Sequence, residues 1–277
     1  MTTVDPDPPA GTRPIALVVR TAGTNCDAEL ARAFTLAGAA VVTVHLDRLC
    51  REPELLASSD LIGFPGGFSY GDDIASGRIF AMRIRRSLAE PLNTAVDRGA
   101  CVIGVCNGFQ VLVQTGLLPT GRVGSPSVSV VHNEQGRFVD RWVGVEADAS
   151  SPCVWTAGLP ANGDQRVMRL PVAHGEGRVV TDASVIGALA EAGQVPLRYT
   201  EPVNGSAGDA AGLCDPTGRV FGLMPHPERY LDWTRHPFWT GLSTSIRTGD
   251  TPGMSIFRNA VRAARELRGA GDVASPR

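Results

Sequence analysis

Cys101-Val102-Ile103-Gly104-Val105-Cys106-Asn107-Gly108-Phe109-Gln110 runs from a short apolar stretch through Gly-x-Cys-x-Gly into a helix-like pattern. This is the form of a nucleophile elbow, a sharp strand-to-helix turn that lifts one side chain above the end of a sheet. Small residues flank the central one because a Cβ there would collide with neighbouring backbone. The backbone N–H that follows points to where an oxyanion forms. With cysteine in the nucleophile position, the expected intermediate is a thioester.

Outward from the elbow, strands alternate with helices. Residues 15–19, 41–44, 61–64 and 101–105 read as strands, and 27–37, 77–98 and 108–115 as helices, the second interrupted at Pro91. That alternation predicts a parallel α/β sheet. Beyond Leu118 the pattern changes. Short strands are expected at 128–131, 138–145, 167–170, 178–180, 195–199, 211–214 and 220–224, with a helix at 182–192. A last amphipathic helix, 254–267, carries Ile256, Phe257, Ala260, Val261, Ala264 and Leu267 on one face. No internal repeat or long linker divides the chain, so residues 15–268 are expected to form one domain. The polar, Pro-rich residues 1–14 and the segment 269–277 are expected to be disordered tails.

Composition excludes several classes. At 43% hydrophobic and 19% charged the chain is ordinarily globular, and its formal net charge of −2 argues against nucleic-acid binding. No apolar run reaches membrane-spanning length. The N-terminal stretch lacks the basic start and apolar core of a signal peptide, and the six cysteines show no C-x-x-C pair. Reduced thiols in the cytoplasm are therefore expected. All 26 basic residues are arginine. A P-loop lysine and a Schiff-base lysine are thereby ruled out.

Two further motifs fall at expected strand ends, where an open parallel sheet binds ligands. Pro65-Gly66-Gly67-Phe68 allows close backbone approach to a bound carbonyl, with glycine N–H groups as oxyanion donors. Met224-Pro225-His226-Pro227-Glu228 places His226 and Glu228 two apart in a stiffened, extended turn. A carboxylate beside histidine fixes its tautomer, so Cys106, His226 and Glu228 supply a nucleophile, a base and an orienting acid. Taken alone, Pro-His-Pro is equally a rigid surface turn. His174, in Ala173-His174-Gly175-Glu176-Gly177, suggests a loop folded against something. His45 reads as structural, and His132 and His236 as surface or packing residues. No spacing supports a metal site. Asn204-Gly205-Ser206 reads as a hairpin turn.

These residues resemble a known family. Cys106 to Gln110, Pro65-Gly66-Gly67-Phe68-Ser69-Tyr70-Gly71-Asp72 and Pro225 to Arg229 look like the class I (triad) glutamine amidotransferases. Within that family the resemblance is to the glutaminase subunits of phosphoribosylformylglycinamidine synthases, supported by Gly23 to Asp27, Asn133 to Trp142, Pro171 to Gly177 and Asn204 to Ser206. The resemblance implies a flavodoxin-like, mostly parallel sheet with added short β segments. It implies hydrolysis of L-glutamine by Cys106, His226 and Glu228, with Gly66, Gly67, Phe68, Asn107, Gln110 and His174 binding substrate. Gly67 and Asn107 would give the oxyanion N–H groups. Ammonia would pass to a synthetase subunit holding ATP and Mg, with a small third subunit as a further partner; this chain itself would carry no cofactor. His174 and Glu176 would lie on the surface that senses the partner. The chain departs from the family at Arg20-Thr21-Ala22-Gly23, in residues 73–80 and in residues 230–251. Two other readings stand beside this one. They are a cysteine-dependent α/β-hydrolase, whose acid would precede its histidine, and a non-catalytic regulatory protein on an amidotransferase fold.

Overall fold

The structure is a computed structural model that describes residues 13–72, 75–160, 164 and 166–273. Five strands form the parallel half of the main sheet: β1 (Ile15–Arg20), β2 (Ala40–His45), β3 (Leu61–Phe64), β4 (Cys101–Val105) and, late in the chain, β11 (Val220–Leu223). Their spatial order is β2-β1-β3-β4-β11, the flavodoxin-like order. Beyond β11 the sheet continues antiparallel through β10 (Ala210–Cys214), β9 (Leu197–Tyr199), β6 (Val139–Ala147) and β7 (Arg169–His174). A separate antiparallel pair joins β5 (Ser129–His132) to β8 (Glu176–Val180).

β3 and β4 are apolar throughout because they are covered on both faces. Parallel register puts Gly63, Ile103 and Phe221 on one face and Phe64, Gly104 and Gly222 on the other. On the first face, α1 (Asp27–Leu36) lays Leu30 and Phe34 against Gly63. There α9 (Pro252–Val273) brings Phe257 edge-on to Phe34 at 5.5 Å. On the second face, α6 (Asn107–Gln114) lays Phe109 against Gly222 and Leu112 against Gly104. Phe80 of α4 (Arg78–Ser87) meets Phe64 at 5.9 Å.

The glycines of the elbow follow from this packing. A Cβ on Gly108 would sit 1.8 Å from the Phe64 carbonyl oxygen, and one on Gly104 would sit 2.5 Å from the Gly108 carbonyl oxygen. α6 can therefore press directly onto β3 and β4 only if both positions lack a side chain.

Several expectations change. α4 ends at Ser87 and α5 (Ala89–Asp97) begins just past Leu88, so the break precedes Pro91, which lies in the tolerant first turn of α5. Two short helices, α2 (Leu46–Arg51) and α3 (Glu54–Ala57), fill the span between β2 and β3. α7 (Leu117–Thr120) follows α6, and α8 (Ala183–Glu191) follows β8. β7 runs on to His174, leaving only Gly175 between it and β8, where a loop was expected. α9 continues to Val273, so residues 269–273 are helical and not tail. Residues 1–12 and 274–277 of the expected tails lie outside the described residues, as do residues 73–74 of one departing stretch.

Candidate active site

Cys106 stands between β4 and α6 with φ +52° and ψ −107°, a combination L-residues rarely adopt. Its N–H donates to the Leu223 carbonyl at 2.8 Å and its carbonyl accepts from the Gln110 N–H at 3.1 Å. These bonds hold the strained residue between the ends of β11 and α6. Asn107 opens α6, so its N–H has no carbonyl one turn back and is free for a ligand.

His226 follows β11. Its N–H donates to the Pro171 carbonyl of β7 at 2.8 Å. Pro227 opens a short 3-10 turn that carries Glu228 back toward the imidazole. His226 Nδ1 and Glu228 Oε1 are 2.6 Å apart and both side chains are buried. Burial alone would push the imidazole down. The charges of the Glu228 carboxylate and of Cys106 outweigh it and raise the His226 pKa to about 10. Its Nε2, buried and without a hydrogen-bond partner, is left for the Cys106 sulfur. Gly66 links the two. A Cβ there would lie 2.9 Å from His226 Cε1 and 3.4 Å from Cys106 Cβ.

One pocket collects Gly67, Phe68, Cys106, Gln110, His174 and His226. Two predicted binding residues sit just behind it. Gly66 backs the His226 ring, and the buried Asn107 side chain donates to Gln110 Oε1 at 2.9 Å and accepts from the Ser69 N–H at 3.3 Å. Gln110 Nε2 donates to the Glu176 carbonyl. His174 is no surface residue. It is 3% exposed and its Nδ1 lies 3.0 Å from Asn133 Oδ1. Burial, then the nearby His226 charge, lower its pKa to about 4. His174 was expected on the surface that senses the partner; that position is corrected, because the side chain is buried and lines the pocket.

Two of the remaining histidines sit apart from the site, whereas the exposed His132 lies 3.7 Å from the Glu176 carboxylate. His45 caps α2, accepting from the Asp47 N–H at 3.2 Å. His236 is buried among Trp142, Tyr230 and Phe238. Asn204 is likewise buried, donating to the Gly177 carbonyl at 2.7 Å from a longer β9–β10 connection, not a two-residue turn.

The pocket also takes in residues that sequence reasoning passed over, among them Asp72, Ser76 and Cys26. Cys26, His226 and Glu228 bring a thiol, an imidazole and a carboxylate within 4.8 Å of one another. The imidazole–carboxylate bond already uses two of these groups. The Arg229 guanidinium, 3.3 Å from Cys26 Sγ, disfavours a cation there. The cluster is therefore the surroundings of an acid–base pair.

The sequence matches the CobB/CobQ-like glutamine amidotransferase domain over residues 13–262. It is 40% identical over 262 residues to the phosphoribosylformylglycinamidine synthase subunit PurQ of Dehalococcoides mccartyi, covering 91% of this chain and 98% of that one. Against PurQ of Methanococcus maripaludis it is 38% identical, covering 90% and 96%. The chain belongs to the PurQ family of glutamine amidotransferases. A chain in the solved structure of PurLQS from Thermotoga maritima shares 32% identity with a TM-score of 0.67, over 90% of this chain and 98% of that one. Membership of the PurQ family displaces the α/β-hydrolase reading.

For this PurQ-family chain, thiol chemistry separates two cysteines in one pocket. Burial, then the Glu228 charge, push the Cys26 thiol up to about 12. Iodoacetamide near neutral pH is expected to modify Cys106 and spare Cys26, with excess glutamine slowing the reaction. Peptide mapping by mass spectrometry checks this; faster labelling of Cys26 would overturn the assignment of the nucleophile.

Proposed function

We propose that Cys106, His226 and Glu228 are the catalytic residues of a glutaminase that releases ammonia from L-glutamine. The Cys106 thiolate attacks the side-chain carboxamide carbon. The Gly67 and Asn107 N–H groups receive the oxyanion. His226 donates its Nε2 proton to the nitrogen as the C–N bond breaks, giving ammonia and a glutamyl thioester. Water then attacks the thioester, and His226 takes its proton. Glutamate leaves as the C–S bond breaks, restoring thiolate and imidazolium. Glu228 orients the imidazole and stabilises its charge. Phe68, Gln110 and His174 line the substrate pocket. The observation that carries this reading is the strained Cys106 in one pocket with the buried His226–Glu228 pair.

The chain is the glutaminase subunit of phosphoribosylformylglycinamidine synthase and serves purine biosynthesis. Its partner is a synthetase subunit that uses ATP and Mg to convert formylglycinamide ribonucleotide to the amidine, with a small third subunit completing the assembly. The chain itself needs no cofactor, and having no lysine it offers no P-loop for ATP. It acts in the cytoplasm. Among the described residues no helix is long and apolar enough to cross a membrane.

The isolated chain is expected to hydrolyse glutamine slowly and to speed up when a nucleotide-loaded synthetase closes on it, since closure prevents wasted ammonia. In the complex, Cys106→Ser should still permit amidine synthesis from added ammonium salt. Product formation with ammonium in place of glutamine is the measurement. If no product forms while the synthetase alone uses ammonium, the subunit does more than deliver ammonia. Amidine made from glutamine and ATP by the isolated chain would refute the supplier role.

A further inference from the structure

The glutaminase reading leaves one large feature unused. A groove of about 900 Å³ lies between α4 and β5, and it shares no wall residue with the pocket around Cys106. Both elements pack on α6, whose Gln114 also lines the groove. α4 contributes Ile79, Met82 and three arginines, Arg78, Arg85 and Arg86. The opposite wall is apolar, with Val128 just before β5 and Val130 and Val131 within it. The volume suits a stretch of peptide, not a single side chain.

β5 is an edge strand with one side open. Among the described residues it pairs with β8 alone. The Val179 N–H of β8 donates to Ser206 Oγ at 3.0 Å, so it points away from β5. Val130 stands opposite Val179. In an antiparallel ladder, opposed residues either exchange both bonds or turn both sets of groups away. The Val130 N–H and carbonyl therefore face the side away from β8, and among the described residues no strand or side chain takes them. Proteins usually blunt such an edge with a charge, a proline or a covering segment. Ser129-Val130-Val131-His132 has neither a proline nor a permanently charged side chain. Val131 is 37% exposed and Met82, across the groove, 59%.

The charge of the groove is one-sided. Its walls hold three arginines and no carboxylate. All three arginines are exposed, and among the described residues none has an ion-pair partner. Arg83 on the same helix behaves differently: Asp47 and Tyr70 both hold its guanidinium. The free arginines favour an acidic occupant. A second copy of this chain would bring a like set of arginines up to the first, so charge opposes a symmetric pairing of β5 with β5.

We propose that the groove between β5 and α4 receives an extended segment of a partner protein as an added strand, one that alternates apolar and acidic residues. Its main chain bonds the Val130 N–H and carbonyl, which supplies affinity without regard to sequence. Successive side chains of a strand point to opposite faces. One set therefore packs against Ile79, Met82 and the valines, while the other carries its carboxylates to Arg85 and Arg86. The open edge gives the segment its direction, and the arginines select its charge.

The probe is a blocked peptide that alternates valine and glutamate over about nine residues, the length of a long strand. It is titrated into the full chain by calorimetry, and amide hydrogen exchange is followed in parallel. Binding is expected to slow exchange at the Val130 amide by about tenfold or more. N-methylation of the peptide on one alternate set of residues should abolish binding, and on the other set should be tolerated, because only one set of its N–H groups faces β5. Lysine in place of glutamate should weaken binding by about tenfold or more, and so should the double change Arg85→Glu and Arg86→Glu. Both arginines are exposed, so that variant should melt as the wild type does. No binding at about millimolar peptide overturns the proposal. Equal binding of the two N-methylated forms, or of the lysine peptide, overturns it as well. Self-association of the chain with protection of the Val130 amide would give the groove to a second copy and overturn it too.

Discussion

Cys106→Ser is expected to lower glutamine-dependent ammonia release by on the order of 10⁴-fold or more, the scale seen when a nucleophile that works as part of a unit is removed. The exchange keeps the size of the side chain and adds no bulk at a residue that already holds φ +52°. The fold should therefore survive, and thermal melting should shift little. What is lost is chemical. A serine hydroxyl at this position is a far weaker nucleophile than a thiolate, and the acyl intermediate would be an ester in place of a thioester. Serine at Cys26, Cys50, Cys101, Cys153 or Cys214 should cost stability at most. Cys101, Cys153 and Cys214 are buried in the core, and burial pushes the Cys101 thiol up to about 11. Cys26 lines the pocket, yet it lies outside the elbow. Ammonia release at wild-type rates by the Cys106 variant, with the complex intact, would end the proposed mechanism.

The elbow was readable because packing and chemistry constrain the same residues. Gly104 and Gly108 are glycine because backbone atoms lie where their side chains would be, and Cys106 is exposed to the pocket by that same tight turn. β3 and β4 were found at their full lengths, since strands covered on both faces read as unbroken apolar runs. α2 and α3 escaped notice. Each bears only one or two buried leucines, Leu46 and Leu49 in one and Leu56 in the other, too few for a helical period to show. The extension of β7 to His174 was hidden for another reason. The strand was expected to stop at residue 170 and Gly175 suggested a loop, but Pro171 pairs at the sheet edge with Trp142 and its carbonyl holds the His226 N–H. Asp72 and Glu176 were quoted in motifs without being seen as a pair. They lie far apart along the chain, and Ser76, donating to both, brings them together.

His226→Ala is expected to cost roughly 10²- to 10⁴-fold in glutaminase turnover, and Glu228→Gln less, though still about 10²-fold, because the imidazole moves the proton and the carboxylate only holds and charges it. The two losses should not add, since both act through one imidazole. The buried pair also leaves a mark on stability. Desolvation opposes the charged ring, but Glu228 and Cys106 overcome it and raise the His226 pKa from its ordinary 6.5 to about 10. In that window the folded state binds the proton and the unfolded chain does not. The imidazolium thus stabilises the fold in full below pH 6.5, and its contribution fades as pH climbs through about 10. His226→Gln lacks this proton, so the gap in melting temperature between wild type and variant should shrink from pH 6.5 to pH 10. A gap that stays flat across that range would mean that the ring is not held charged by its neighbours. Near-wild-type turnover in both His226→Ala and Glu228→Gln would reduce the Pro225–Glu228 turn to a structural role. A charged ring at neutral pH is what the first half of the reaction requires: the ammonia nitrogen leaves only as it gains a proton, and His226 Nε2 is the buried, unpartnered position from which that proton comes.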